Sequence, residues 1–416
     1  MLVAGQGLTA KAAAAPRVWY VSVGAESAHS AIEAMGFYPG VITIDAGDSV
    51  VWTLHSMEPH TVTFLGGVRL TPKLLSDFAP AGGGTYTGTG LHSSGMLAGP
   101  HRTYRLTFPK PGFYPYLCLM HGTAMSGLVI VNPAGTPYPM TQAQYHRLAS
   151  QEEEAALAAG QAAASGAVLS TSPGPNGSTI YHVLAGIDSG PTVMTRLEPT
   201  QVGSTAGGQA TLTQEGPGVI AVTVTVWGLK PGSVLSDGIG IGTCSEPGPG
   251  VDRLNPLKAD ARGLATATTL ITGNPQLLAI PSAGWTVDVG PSGSAGNGTA
   301  AVACGAVSAP AATGMRFYPW TVTIHVGDQV QWLEASSMEI HTVTFLAKGQ
   351  KAPQFGSPAS VRPAGGPVYN GSGYFNSGVM TPGQTYTLTF TKPGVYAYHC
   401  LVHDDMGMIG RVIVLP

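Results

Sequence analysis

The chain has 416 residues, 44% hydrophobic and only 10% charged, with a formal net charge of −3. That length exceeds what one ordinary core organises, so two to four domains are expected, and the near-neutral balance offers no basic face to suggest nucleic acid and no Lys/Arg cluster to suggest an anionic membrane. No apolar run is long enough for a transmembrane segment, and four cysteines are too few for a disulfide-dense scaffold.

The first residues, MLVAGQGLTAKAAAAPR, resemble the end of a secretory signal but lack a basic n-region and a full apolar stretch; a disordered leader accounts for them equally well. Residues 17–133 then show short runs with period two, such as Val41-Ile-Thr-Ile-Asp45, separated by Gly-Asp and Lys-Pro-Gly turns. This pattern predicts an antiparallel β-sandwich. Residues 134–178 change texture: Thr141 with Gln144 forms a capping box that opens a helix to about Ala164, followed by a flexible linker over 165–178. From 179 to 308 β texture resumes in a pattern of its own, and after a short Ala/Pro/Ser/Gly linker a last unit occupies 309–416. The expected class is all-β, with two similar sandwiches flanking a third.

The outer units are repeats of one another. Met35-Gly-Phe-Tyr-Pro39 returns as Met315-Arg-Phe-Tyr-Pro319, Met57-Glu-Pro-His60 as Met338-Glu-Ile-His341, and Tyr104-Arg-Leu-Thr-Phe108 as Tyr386-Thr-Leu-Thr-Phe390. Each copy ends in a loop rich in ligating atoms: Cys118-Leu-Met-His121 with Met125, and Cys400-Leu-Val-His403 with Met408. With the upstream His60 and His341, each copy offers two imidazoles, a thiolate and a thioether, the donor set of an electron-transfer copper site. Soft sulfur suits Cu(I) and nitrogen suits Cu(II), so a geometry held between the two preferences lowers the barrier to electron exchange. A half zinc site is disfavoured because no second Cys/His pair lies at finger spacing. A buried free cysteine beside a core histidine explains either copy alone but not the ordered recurrence of four residue types.

On these motifs each outer unit resembles the cupredoxins of the plastocyanin type. The resemblance implies Greek-key sandwiches, two type 1 (blue) coppers per chain and single-electron transfer between redox partner proteins. It implies His60, Cys118, His121 and Met125 as one ligand set and His341, Cys400, His403 and Met408 as the other, with Met120 and Met406 as weaker axial candidates. It also implies an exposed imidazole edge, so that partners dock near His121 and His403 over a small, short-lived interface.

His399, beside Cys400, raises the alternative of a multicopper oxidase or nitrite reductase-like enzyme with an additional catalytic copper. Such an enzyme needs further imidazoles. No His-x-His pair occurs in the chain, and Leu65 and Leu346 stand five residues after His60 and His341, where nitrite reductases place another histidine. An electron carrier without catalytic residues is therefore expected.

The middle stretch Gly228-Leu-Lys-Pro-Gly232…Gly242-Thr-Cys244…Val302-Ala-Cys-Gly305 resembles Cu/Zn superoxide dismutase-like domains. Gly238 and Gly240 stand where that family's paired histidine ligands would be, so a sandwich without metal is expected. The resemblance implies a Cys244–Cys304 disulfide, and with it an extracytoplasmic location: periplasmic, cell-surface or secreted.

Overall fold

The computed structural model describes residues 15–416 apart from 70, 72, 75, 76, 100, 191, 202, 276, 277 and 292–300. Residues 1–14 of the leader reading lie outside the described ones. The described chain is mostly β, with a sandwich at each end and one long helix after the first.

In the N-terminal sandwich, one sheet contains Val18–Glu26, Ile32–Tyr38, Ser49–Leu54 and Thr103–Thr107. The facing sheet runs Val41–Asp45, Gly122–Asn132, Gly112–Cys118, Thr63–Phe64, His92–Ser93. Trp19, Trp52, Phe64, Phe108 and Tyr116 fill the space between them. The repeated Gly-Asp turn has a structural reason. Gly47 adopts φ +102°, and the Asp48 carboxylate behind it accepts hydrogen bonds from Arg17 N (2.6 Å), Trp19 Nε1 (2.9 Å) and Tyr138 Oη (2.9 Å), anchoring the first strand.

The C-terminal sandwich repeats this plan with an unexpected source for its first strand. Thr179–Ala185, read from sequence as the start of the middle unit, runs parallel to Gln329–Glu334, pairing Ile180 with Gln329 through Ala185 with Glu334. Val18–Val23 pairs with Ser49–Leu54 in the same way. Asp328 accepts from Thr179 N at 2.8 Å, as Asp48 does from Arg17 N. The stretch read as a flexible linker also contains a strand, Ser170–Pro173, on the edge of this sheet. The C-terminal sandwich thus draws strands from both sides of the middle unit.

That middle unit is a continuous sheet of strands between Thr192 and Val307, curled around Leu212, Val222, Val224, Ile239, Val287 and Val289. Cys244 and Cys304 form a disulfide, with Cα atoms 5.7 Å apart. The ends of the unit lie together: Ser189 N donates to Ala312 O at 2.7 Å.

The two outer sandwiches meet along a strand seam. Ile32, Glu33 and Ala34 pair antiparallel with Gly314, Thr313 and Ala312. Met35 N donates to Ala311 O (2.8 Å) and Met315 N to Ala31 O (2.9 Å). Because these positions match between the repeats, the seam is a pseudo-twofold, self-complementary contact. The helix Gln142–Gly166 carries both halves of the Thr141/Gln144 capping box and lies over this seam. Gly160 is its point of closest approach: a Cβ there would stand 2.5 Å from Ile32 Cγ2 and 2.9 Å from Ala312 Cβ. Among the described residues no helix is long and apolar enough to cross a membrane.

Candidate metal centres

In the first repeat, Gly112–Cys118 carries the cysteine to the end of its strand, and the turn into Gly122–Asn132 returns His121 over it. His60 is fixed by a two-way backbone bridge to Leu97. The ligating atoms converge: His60 Nδ1 lies 3.3 Å from His121 Nδ1 and 4.0 Å from Cys118 Sγ, and all three side chains are buried. Met125 is fully buried in the same core, while Met120 packs on its edge. Two imidazole nitrogens and a thiolate sulfur around one point, with a thioether in the same core, fit a copper ion of mixed hard and soft preference. The thiol is held well below its ordinary pKa. Burial acts against this, but His121 and His60 outweigh burial.

Residues that sequence reasoning missed complete the pocket. Thr61 N donates to Cys118 Sγ at 3.3 Å, and Thr61 Oγ1 accepts from Leu119 N at 2.8 Å, clasping the loop on both sides of the sulfur. Thr342 repeats the device on Cys400 Sγ (3.5 Å) and Leu401 N (2.8 Å). Both threonines directly follow the upstream histidines, so the signal was present in the His-Thr repeat. Glu33, fully buried, lies 3.5 Å from His60 Nε2, an outer contact that orients the ring. Burial pushes Glu33 up to about 7, against the opposing pull of His60.

The second repeat is not a copy in this respect. Cys400 Sγ lies 3.7 Å from His403 Nδ1, and Met408 is fully buried in their core, with Met406 nearly so. His341, however, turns Nδ1 to Glu334, 2.9 Å and 2.8 Å from its two oxygens. To offer Nδ1 as His60 does, the His341 ring has to leave Glu334. Without a second imidazole against it, the Cys400 thiol is pushed by burial up to about 12.

The expected exposed imidazole edges are not there. His121 and His403 are 6% and 1% exposed because the seam turns the two pockets toward each other. His121 Nε2 meets Glu339 Oε1 of the opposite repeat at 3.0 Å, and His403 Nε2 lies 3.6 Å from Glu58 Oε2. The glutamates sit one residue before Pro59 and Ile340 in the repeated Met-Glu-x-His motif, a recurrence that single-domain reasoning gave no use. His399 stands apart, its Nδ1 held 2.9 Å from Asp404 Oδ1 at the partly open rim.

Known proteins match the same two regions. The family described as copper binding proteins, plastocyanin/azurin family, matches residues 25–132 and 303–415, together more than half of the chain. The chloroplastic plastocyanin of Tetradesmus obliquus is 35% identical over 130 residues, 31% of this chain and 74% of that protein. That of Physcomitrium patens is 34% identical over 100 residues, 24% of this chain, and the match spans about half (52%) of that relative's length. A solved amicyanin variant in its reduced state aligns over 28% of this chain and 82% of its own, at 24% identity and a TM-score of 0.20. With its thiolate and imidazoles gathered inside the matched regions, the chain belongs to the plastocyanin/azurin family of copper binding proteins.

Proposed function

We propose that the chain is a blue copper electron-transfer protein with two type 1 sites, shuttling single electrons between redox partner proteins. The observation that carries this reading is the convergence of His60 Nδ1, Cys118 Sγ and His121 Nδ1 in a fully buried pocket. Met125 is the proposed axial ligand there, and His341, Cys400, His403 and Met408 are the proposed second set. Copper held by these residues supplies reversible one-electron chemistry. The chain excludes water from both sulfurs, aims a backbone N–H at each, and locks the imidazoles from outside, which limits rearrangement between oxidation states.

The middle unit fits a superoxide dismutase-like sandwich without metal, since Gly238 and Gly240 have no side chains with which to ligate. Its disulfide favours an oxidising, extracytoplasmic compartment. Partners exchanging electrons with this protein meet a surface other than the enclosed edges of His121 and His403.

Metal analysis with a visible spectrum tests the proposal. Two coppers per chain and an intense thiolate-to-copper band are expected. The paired substitutions Cys118→Ser and Cys400→Ser should abolish the band, and intense colour surviving in the double variant would sink the assignment.

A further inference from the structure

Glu58 and Glu339 occupy the same place in the two repeats, two residues before His60 and His341. The pseudo-twofold seam delivers each to the other repeat's pocket. His121 Nε2 lies 3.0 Å from one oxygen of Glu339, and His403 Nε2 lies 3.7 Å from the other oxygen and 3.6 Å from Glu58. None of the four side chains is more than 4% exposed. Carboxylates taken out of water need compensation, yet no Lys or Arg among the described residues pairs with either. What faces them is imidazole. Nδ1 of His121 and of His403 is turned inward toward a cysteine pocket, so Nε2–H is the group left to donate outward. Glu339 therefore spans two imidazoles, one with each oxygen.

We propose that Glu58 and Glu339 join the two centres into one redox unit, with His121–Glu339–His403 as its path, so that an electron received at one centre passes to the other within the chain. This rests on the reading of both clusters as copper sites. In the step, the electron lost by the reduced centre is the one gained by the oxidised centre. No bond to either carboxylate forms or breaks, and both Nε2 protons stay where they are. The glutamates are positioning residues: they stand buried between the facing rings, Glu339 with one oxygen 3.0 Å from His121 Nε2 and the other 3.7 Å from His403 Nε2. The unit lets a donor and an acceptor use different faces of the molecule.

The test uses the full chain loaded with two copper equivalents and reduced by a brief pulse of a sub-stoichiometric one-electron radical donor. Cys118→Ser and Cys400→Ser variants supply the EPR signal of each centre alone. After the bimolecular phase, one EPR signal should recover as the other fades, at a rate independent of protein concentration. Glu339→Ala should slow that phase by about tenfold or more, in the range usual for loss of an outer contact to a metal-bound histidine. Glu339→Gln, which keeps an acceptor oxygen, should restore most of the rate. Fewer than two coppers in the wild type overturns the two-site reading and this inference with it. Two coppers with no concentration-independent phase, or with one that Glu339→Ala and Glu58→Ala leave unchanged, overturns the bridge alone. So does a third metal equivalent that Glu339→Ala removes, because the carboxylates would then be holding a cation.

Discussion

Gly24 sits at φ +64° behind the N-terminal cluster, where a Cβ would stand 2.5 Å from Ser56 Oγ, 2.8 Å from His60 Nε2 and 3.0 Å from Glu33 Oε1. Gly186 plays the same part behind His341, with a Cβ 2.5 Å from His341 Cε1. Gly24→Ala therefore combines backbone strain with displacement of the His60–Glu33 contact. It should cost about 1–3 kcal/mol of stability and leave the C-terminal centre as the better occupied one. Thermal unfolding and copper stoichiometry read this out, and an unchanged N-terminal signal with two coppers would contradict it. Cysteines and histidines at loop spacing were legible in the sequence because their chemistry names them. Gly24, Glu33 and Glu334 were not, since their meaning lies in which strand passes behind an imidazole. The His341–Glu334 contact has no counterpart in the first repeat, where Leu54 occupies the matching position.

At the scale of elements, the helix was legible from its first turn because a capping box is a local device, and the structure contains both of its hydrogen bonds. The strand Thr179–Ala185 was not. It bears no ligand, and its partner Gln329–Glu334 lies beyond the whole middle unit. The seam was equally hidden, since residues 312–314 look like linker until they pair with Ile32–Ala34. Gly160 is what lets the helix lie on that seam. Gly160→Val would drive a branched side chain between Ile32 and Ala312, which are 2.5 Å and 2.9 Å from its first carbon. A loss of about 1–3 kcal/mol is expected from such overpacking. Ala162→Val, on the exposed face of the same helix, should cost roughly half a kcal/mol through helix propensity alone. Urea unfolding of the two variants separates packing on the seam from helix propensity, and equal losses would mean that the helix is not clamped there.

For the whole molecule, the middle unit does more than fill the gap between the repeats. Its disulfide closes a loop with a sequence separation of 60, worth about 4 kcal/mol in the loop-entropy view. The stiffened unit presses the segment Ala279–Ala283 onto the N-terminal ligand strand. Thr123 Oγ1 donates to Ala279 O (2.6 Å) and accepts from Ala279 N (2.8 Å). Ser126 N donates to Ser282 Oγ (2.9 Å), which donates back to Ser126 O (2.9 Å). Met125 lies between these two clasps, so the middle unit holds the proposed axial ligand of one centre, and its fastening is local to that centre. Thr123→Val keeps the side-chain shape but strands both polar groups of Ala279, at about 1–3 kcal/mol. The expected result is a changed EPR spectrum and faster copper loss at the N-terminal centre, observed in a Cys400→Ser background. The C-terminal centre, observed in a Cys118→Ser background, should keep its spectrum. An equal change at both centres would show that Thr123→Val loosens the whole molecule, and the middle unit would then lose its assigned role as a brace for one ligand strand.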